Sequence, residues 1–245
     1  MAAIDELFEA ALKAVGEKPP DDSSREVKKR YSERLSEKIA LACAEELRNR
    51  GLDGARPAGP GELEGSGAER RMAGGIGAKK VDVTWATEVS GLLLGISIKA
   101  ISFKDKRSKN YQKNLTNRRG DMLIEAVTLH RRFPYAVLAA FMFFDKGAET
   151  DGTAKRRPTF INAHSRLRLF TDRNDPAGRD EQFERLYLFL MGASPFAASV
   201  ATYKVGDATK TVSLTEVFDD LVQQVADRNP DFYECVNGKL IKVKS

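Results

Sequence analysis

The sequence predicts an α/β protein with a central mixed β-sheet flanked by helices, and three observations carry that prediction. Residues 80–87 and 92–103 are apolar, β-branched runs joined by the turn "EVSG", which is the pattern of a β-hairpin. A helical stretch rich in bases follows, through about residue 132, and then the unbroken apolar run "YAVLAAFMFFD". A strand that follows a strand and a crossover helix lies parallel to the first and is buried on both faces, as that run requires.

Taken in order, residues 4–15 predict a short helix stopped by "GEKPPDD". A long helix follows over "DDSSREVKKRYSERLSEKIALACAEELRNRGL", with Ser or Asp as N-cap and Gly51 as its stop. Residues 51–78 are so rich in Gly, Ala and Pro that they predict a loop. Its "GGIGA" lacks the Lys-Ser/Thr of a phosphate-binding loop and reads as a hinge. Beyond the parallel strand, "RPTFINAHSRLRLF" is expected as a strand or an irregular stretch and "RDEQFERLYLFLMG" as a helix. Short strands at "SVATYKVG" and "KTVSL" and a closing amphipathic helix over "LTEVFDDLVQQVADRNPDF" complete the prediction. The 245 residues are expected to form one domain, with no internal repeat.

Composition narrows the function. Apolar residues make up 42% and charged residues 31%, as in a globular chain. No apolar run approaches the roughly 18 residues of a membrane span, and "MAAIDELFEAALKAV" carries acids where a signal peptide carries bases, so a cytoplasmic protein is expected. Cys43 and Cys235 fit no metal spacing and read as idle thiols, and with only His130 and His164 besides, a zinc site of histidines and cysteines is not expected. Any metal should be a hard one held by oxygen. His130, near the end of its helix, reads as a favourable contact with the helix dipole.

The net charge of +5 is a small excess, but its distribution is uneven. "KDKRSKNYQKNLTNRR" (104–119) holds Lys104, Lys106, Arg107, Lys109, Lys113, Arg118 and Arg119 against the single acid Asp105. These bases, with Asn110, Asn114, Thr116 and Asn117, suit a nucleic-acid backbone and base edges. Smaller clusters stand at "KRR" (155–157) and "HSRLR" (164–168).

The chemistry concentrates in the hairpin. Side chains alternate along a strand, so Asp82 should share a face with Thr84 and Ala86, and Val81, Val83 and Trp85 should point the other way. In the second strand Leu92, Leu94, Ile96 and Ile98 form the apolar face, with Ser97 and Lys99 opposite. An acid and an amine buried together are costly unless they pair or bind a metal.

An acid at the start of one strand, then a hydrophobic strand ending in acid-x-Lys, resembles the PD-(D/E)xK nuclease superfamily. That is the restriction-endonuclease-like core of many type II restriction enzymes and Holliday junction resolvases. Here the pattern stands as Asp82, fourteen residues, then Ser97-Ile98-Lys99. The resemblance covers the order helix, hairpin, basic helix, strand over about residues 24–145; residues 146–245 would supply specificity or dimer contacts. It implies a Mg2+-dependent (or Mn2+-dependent) endonuclease acting on double-stranded DNA, in restriction or defence against phage, with a homodimer suited to cutting both strands. It implies Asp82 and the Ile98 carbonyl as metal ligands, and Lys99 as the group that positions or activates the attacking water.

Ser97 departs from the family, which carries Glu or Asp there, so a second carboxylate must come from elsewhere. Glu88, Glu69, Asp121 and Glu125 are possible donors. The family also often places a glutamate in the preceding helix, and Glu37 is the pattern match for a metal ligand. Glu46 lies closer to the core side of the helical wheel, with Tyr31, Leu35, Ile39 and Cys43. Tyr111 and Gln112 resemble a Gln/Tyr element that follows the catalytic lysine in some of these nucleases, though a structural role is the simpler expectation. The rival readings are a catalytically silent DNA-binding protein of the same fold, and an interaction protein in which Asp82 and Lys99 form a structural pair.

Overall fold

The computed structural model describes residues 3–59, 70–73 and 78–243, so Glu69 and most of the "GGIGA" segment lie outside the described residues. Two N-terminal helices, α1 (Ala3–Val15) and α2 (Arg25–Asn49), precede the strands β1 (Arg70–Ala73), β2 (Ala78–Val81), β3 (Val83–Thr87) and β4 (Gly91–Ile101). Helix α3 (Gln112–His130) crosses to β5 (Val137–Asp145), and α4 (Thr159–Leu167) to β6 (Arg185–Gly192). Then come β7 (Ser199–Lys204), β8 (Thr211–Val212), α5 (Leu214–Arg228) and the hairpin β9 (Tyr233–Val236) and β10 (Lys239–Lys242).

The main sheet is six-stranded and mixed, in the order β3-β4-β5-β6-β7-β8. Strands β4, β5 and β6 are parallel and central; β3 on one side and β7 on the other run antiparallel to them, and β8 pairs antiparallel with β7 at the edge. The alternation of side chains splits the core in two. Ile96, Ile98, Phe141, Phe143 and Phe189 face α1, α2 and α5, while Leu138, Ala140, Met142, Leu186 and Leu188 face α3 and α4. Helices thus cover both faces of an α/β sheet, as predicted.

Local chemistry explains the ends of α2. The Ser24 hydroxyl accepts from the Val27 amide at its start. At its other end Gly51 sits at φ +88, and a Cβ there would lie 2.5 Å from the Leu240 carbonyl oxygen. Arg50 beside it donates to Glu46 at 2.6 Å, to Asp219 on α5 and to the Gly238 carbonyl, which ties α5 and the C-terminal hairpin to α2.

Four expectations need correction. "RDEQFERLYLFLMG" is not a helix: its "RLYLFLMG" is β6, the third parallel strand, with six consecutive buried residues. Burial on both faces erases the alternation that would have marked it as a strand. Conversely "TFINAHSRL" is the helix α4, the crossover that two parallel strands demand. The stretch 51–78 is not all loop, since β1 pairs antiparallel with β2. Finally, the first hairpin strand is broken at Asp82, a bend between β2 and β3. That break puts Val81 in the core on the α3 side and Val83 and Trp85 in the other. A bulge between Trp85 and Ala86 likewise turns Leu92 to the side opposite Leu94, Ile96 and Ile98.

Candidate nuclease-like site in a basic cleft

The break at Asp82 builds the site. Strand β3 pairs with β4 as far as Val83 opposite Ile96, and the next residue leaves the ladder. The Ile98 amide then donates to the Asp82 carboxylate, to Oδ2 at 2.6 Å. Asp82 is thereby fixed at the carboxyl end of the central parallel strands, on the side where antiparallel β3 begins. Open α/β sheets place their ligand sites at such ends.

On either side of Ile98, Ser97 and Lys99 turn to the α3 side. Lys99 Nζ lies 3.6 Å from Asp82 Oδ2 and 3.0 Å from Glu125 Oε2 on α3. The side chains are 28% exposed at Asp82, 15% at Lys99 and 5% at Glu125, so solvent reaches the group from the Asp82 side. Burial alone would lower the pKa of Lys99, but the charges of Glu125 and Asp82 outweigh it and hold the pKa above the usual lysine value. In this state Lys99 is an ammonium ion. It can orient a water or a phosphate oxygen, and it has no lone pair with which to take a proton.

Two buried polar atoms here have no hydrogen-bond partner among the described residues: Ser97 Oγ and Glu125 Oε1. A buried carboxylate oxygen without a donor is costly, and a hard cation would satisfy it. Among the described residues no cluster of three His, Cys, Asp or Glu is close enough to hold a metal by side chains alone. Magnesium commonly takes only one or two carboxylates, with water and substrate phosphate completing its shell, and Asp82 and Glu125 are the two acids that reach the same Lys99 here.

Of the other expected acids, Glu37 is exposed and lines the same cleft from α2. Asp121 lines it too, paired with Arg118 at 3.3 Å. Glu88 is exposed in the β3–β4 turn and is not part of the cleft lining, and Glu46 is buried against Arg50. Ile98 lines the cleft, and its amide is committed to Asp82.

The cleft encloses about 1540 Å³ between α2 and the segment from the end of β4 through α3. Lys104, Lys106, Lys113, Asn114, Asn117 and Arg118 all line it. Arg107 and Lys109 stand on the exposed loop before α3, and Arg119 is half-buried on α3; none of the three is in the lining. The opposite wall was not anticipated. Arg25, Lys28 and Lys29 of α2 line it, with Lys28 Nζ bonded to the Asp21 carbonyl and lying 5.7 Å from the Phe103 ring centre. Their helical spacing of three and four was the available signal, masked by Glu26 and Glu33 in the same turns.

The remaining candidates have structural partners. Tyr111 donates its hydroxyl to Asp145 at 2.6 Å, and Gln112 accepts from Asn162. His130 is buried between the Asp180 carbonyl and Glu184, within an ion network with Arg173 and Arg228 and away from the cleft. Cys43 and Cys235 are free thiols. Among the described residues no helix is long and apolar enough to cross a membrane. Comparison with protein-family models, with curated protein sequences and with solved structures found no match.

Proposed function

We propose that this protein is a Mg2+-dependent endonuclease of the PD-(D/E)xK type, acting on double-stranded DNA. The observation that carries the reading is Lys99 held between two carboxylates, Asp82 and Glu125, on the floor of a cleft walled by bases. Glu125 answers the difficulty posed by Ser97. It brings from α3 the carboxylate that β4 lacks.

Asp82 and Glu125 would hold the metal ion, with Glu37 available from the α2 wall through water. Bound there, the metal would supply charge neutralisation of the scissile phosphate and a more acidic water. The chain's own residues do the rest. The Ile98 amide fixes the Asp82 carboxylate, Lys99 orients the nucleophilic water or a phosphate oxygen by its positive charge, and the two basic walls hold the phosphate backbone. Restriction or another defence against foreign DNA, with a homodimer cutting both strands, is the context that fits such an activity.

The test is cleavage of plasmid and phage DNA in Mg2+ or Mn2+ against EDTA, for wild type and for Asp82→Ala, Lys99→Ala and Glu125→Ala. Metal-dependent cutting lost in all three variants is the expected result. Cutting retained in Glu125→Ala and lost in Glu37→Ala would move the second carboxylate to α2. DNA binding by wild type without cleavage would make the protein the silent binder, and neither binding nor cleavage would end the nucleic-acid reading.

A further inference from the structure

The loop between β4 and α3 is held rigidly, yet it exposes bases with no local partner. The Asp105 carboxylate is its hub. Oδ1 accepts from the Arg107 amide at 3.1 Å, the Ser108 amide at 3.0 Å and the Ser108 hydroxyl at 3.2 Å, while Oδ2 accepts from Lys113 Nζ at 3.1 Å. The backbone closes the same turn: the Lys109 amide donates to the Asp105 carbonyl and the Asp105 amide to the Asn110 carbonyl, each at 2.9 Å. Lys109 takes φ +53, in the left-handed region that a lysine seldom occupies. The donors gathered on Asp105 hold its carboxyl down at about 2, so it stays ionised throughout the neutral range.

This framework holds Lys106, Arg107 and Lys109 outward, all exposed and without an ion-pair partner among the described residues. Three like charges on one tight turn repel one another, and a left-handed lysine adds strain. The Asp105 hydrogen bonds hold the turn together but give Lys106, Arg107 and Lys109 no ion-pair partner, whereas a polyanion along the cleft mouth would. Lys106 is the link, since it belongs both to the turn and to the cleft lining.

We propose that residues 104–111 form a preorganised clamp on the phosphate backbone of duplex DNA where it enters the cleft, with Asp105 as its positioning residue. The proposal rests on the nucleic-acid reading of the cleft and adds a sign that charge counting does not give. Asp105 is an acid amid bases, so electrostatics alone makes its removal tighten DNA binding. If it shapes the clamp, removal of its acceptors loosens binding, because the three bases must then be ordered at the moment of association.

The experiment is fluorescence anisotropy of a short labelled duplex in EDTA, titrated at several salt concentrations, with the full chain. Asp105→Asn keeps the Oδ1 acceptor without the charge and is expected to bind as well as wild type or better. Asp105→Ala is expected to bind about 5-fold or more weakly, with an unchanged thermal midpoint. The double variant Lys106→Ala/Arg107→Ala should lower the slope of log K against log salt by about two. Asp105→Ala binding as tightly as Asp105→Asn would overturn the proposal, and so would an unaltered salt slope in the double variant. In both cases wild type still binds DNA, which separates failure of the clamp from failure of the nuclease reading.

Discussion

Replacing Lys99 with methionine asks how the site is balanced without its metal. The substitution keeps the side-chain length and removes the charge. Asp82 retains the Ile98 amide and some solvent, so Glu125, 5% exposed, is the group left without compensation. Breaking a fully buried ion pair from one side costs about 3–5 kcal/mol, and the contact of this group with solvent through Asp82 argues for the lower end, about 3 kcal/mol. In a chain of this size about 3 kcal/mol is a fall in Tm of roughly 6–12 °C at pH 7.5. Wild-type Lys99 has a raised pKa, so the stability it contributes is fully present below the ordinary lysine value and is lost only as pH rises through the folded one; the deficit of the variant should close over that alkaline range. Differential scanning fluorimetry of both proteins across this range reads the difference, and millimolar Ca2+ should restore the variant more than it stabilises wild type. Equal stability of the two at pH 7.5, or a deficit that does not change with pH, would refute the idea that Lys99 neutralises Glu125.

Asp82→Asn should abolish metal-dependent cleavage while leaving the fold intact, because an amide oxygen still accepts from the Ile98 amide; circular dichroism and plasmid cleavage together check this. Arg25→Ala and Lys28→Ala should each reduce the salt slope of DNA binding by about one, as read by anisotropy, and an unchanged slope would remove α2 from the interface. Gly51→Ala, forced to φ +88 with its Cβ against the Leu240 carbonyl, should cost about 2–3 kcal/mol in urea unfolding. His164 is buried, which pushes its pKa down to about 4 against the weaker pull of Asp207, so folding excludes the proton that the unfolded chain accepts. Its contribution to stability is full above about 6.5 and declines as pH falls from there toward 4; His164→Phe should remove that part of the acid sensitivity in a Tm-against-pH series.

What the sequence makes legible depends on how far apart the cooperating residues lie. Asp82 and Lys99 share a hairpin, which brings the two positions close, but the break at Asp82 that turns its carboxylate to the Ile98 amide and Lys99 is not contained in the alternation. The strand β5 and its parallel pairing follow directly from the crossover rule. Glu125 stands 26 residues beyond Lys99, and only the packing of α3 on the sheet turns it toward the lysine. A helical wheel of α3 mixes Glu125 with Asp121 as acids one turn apart, so sequence could name both and separate neither. Strand β6 was lost for the opposite reason. Its charges lie before the strand or at its first residue, Arg185, and the rest of "RLYLFLMG" has no period because both faces are buried.

The placement of Glu125 also bears on how the site could have come to carry Ser97. A carboxylate at position 97 would project from β4 on the α3 side, into the space where Ser97 Oγ now stands buried without a partner. With Asp82 and Glu125 already within 3.6 Å and 3.0 Å of Lys99, a third acid there would share a single ammonium ion. Two unit charges about 5 Å apart repel by about 3 kcal/mol at an effective dielectric of 20, so a third acid would meet two such repulsions, about 7 kcal/mol, against about 5 kcal/mol of attraction to one lysine about 3.3 Å away. Serine at 97 and glutamate at 125 are thus one decision in two places. The charge-preserving exchange Ser97→Glu/Glu125→Ser tests it: the double variant should keep metal-dependent stabilisation by Ca2+ in thermal unfolding, whereas Ser97→Glu alone should lose stability at pH 7.5 and regain it near pH 5. Ser97→Glu as stable as wild type at pH 7.5 would show that the two positions are independent, and Glu125 would then be a structural partner of Lys99 alone.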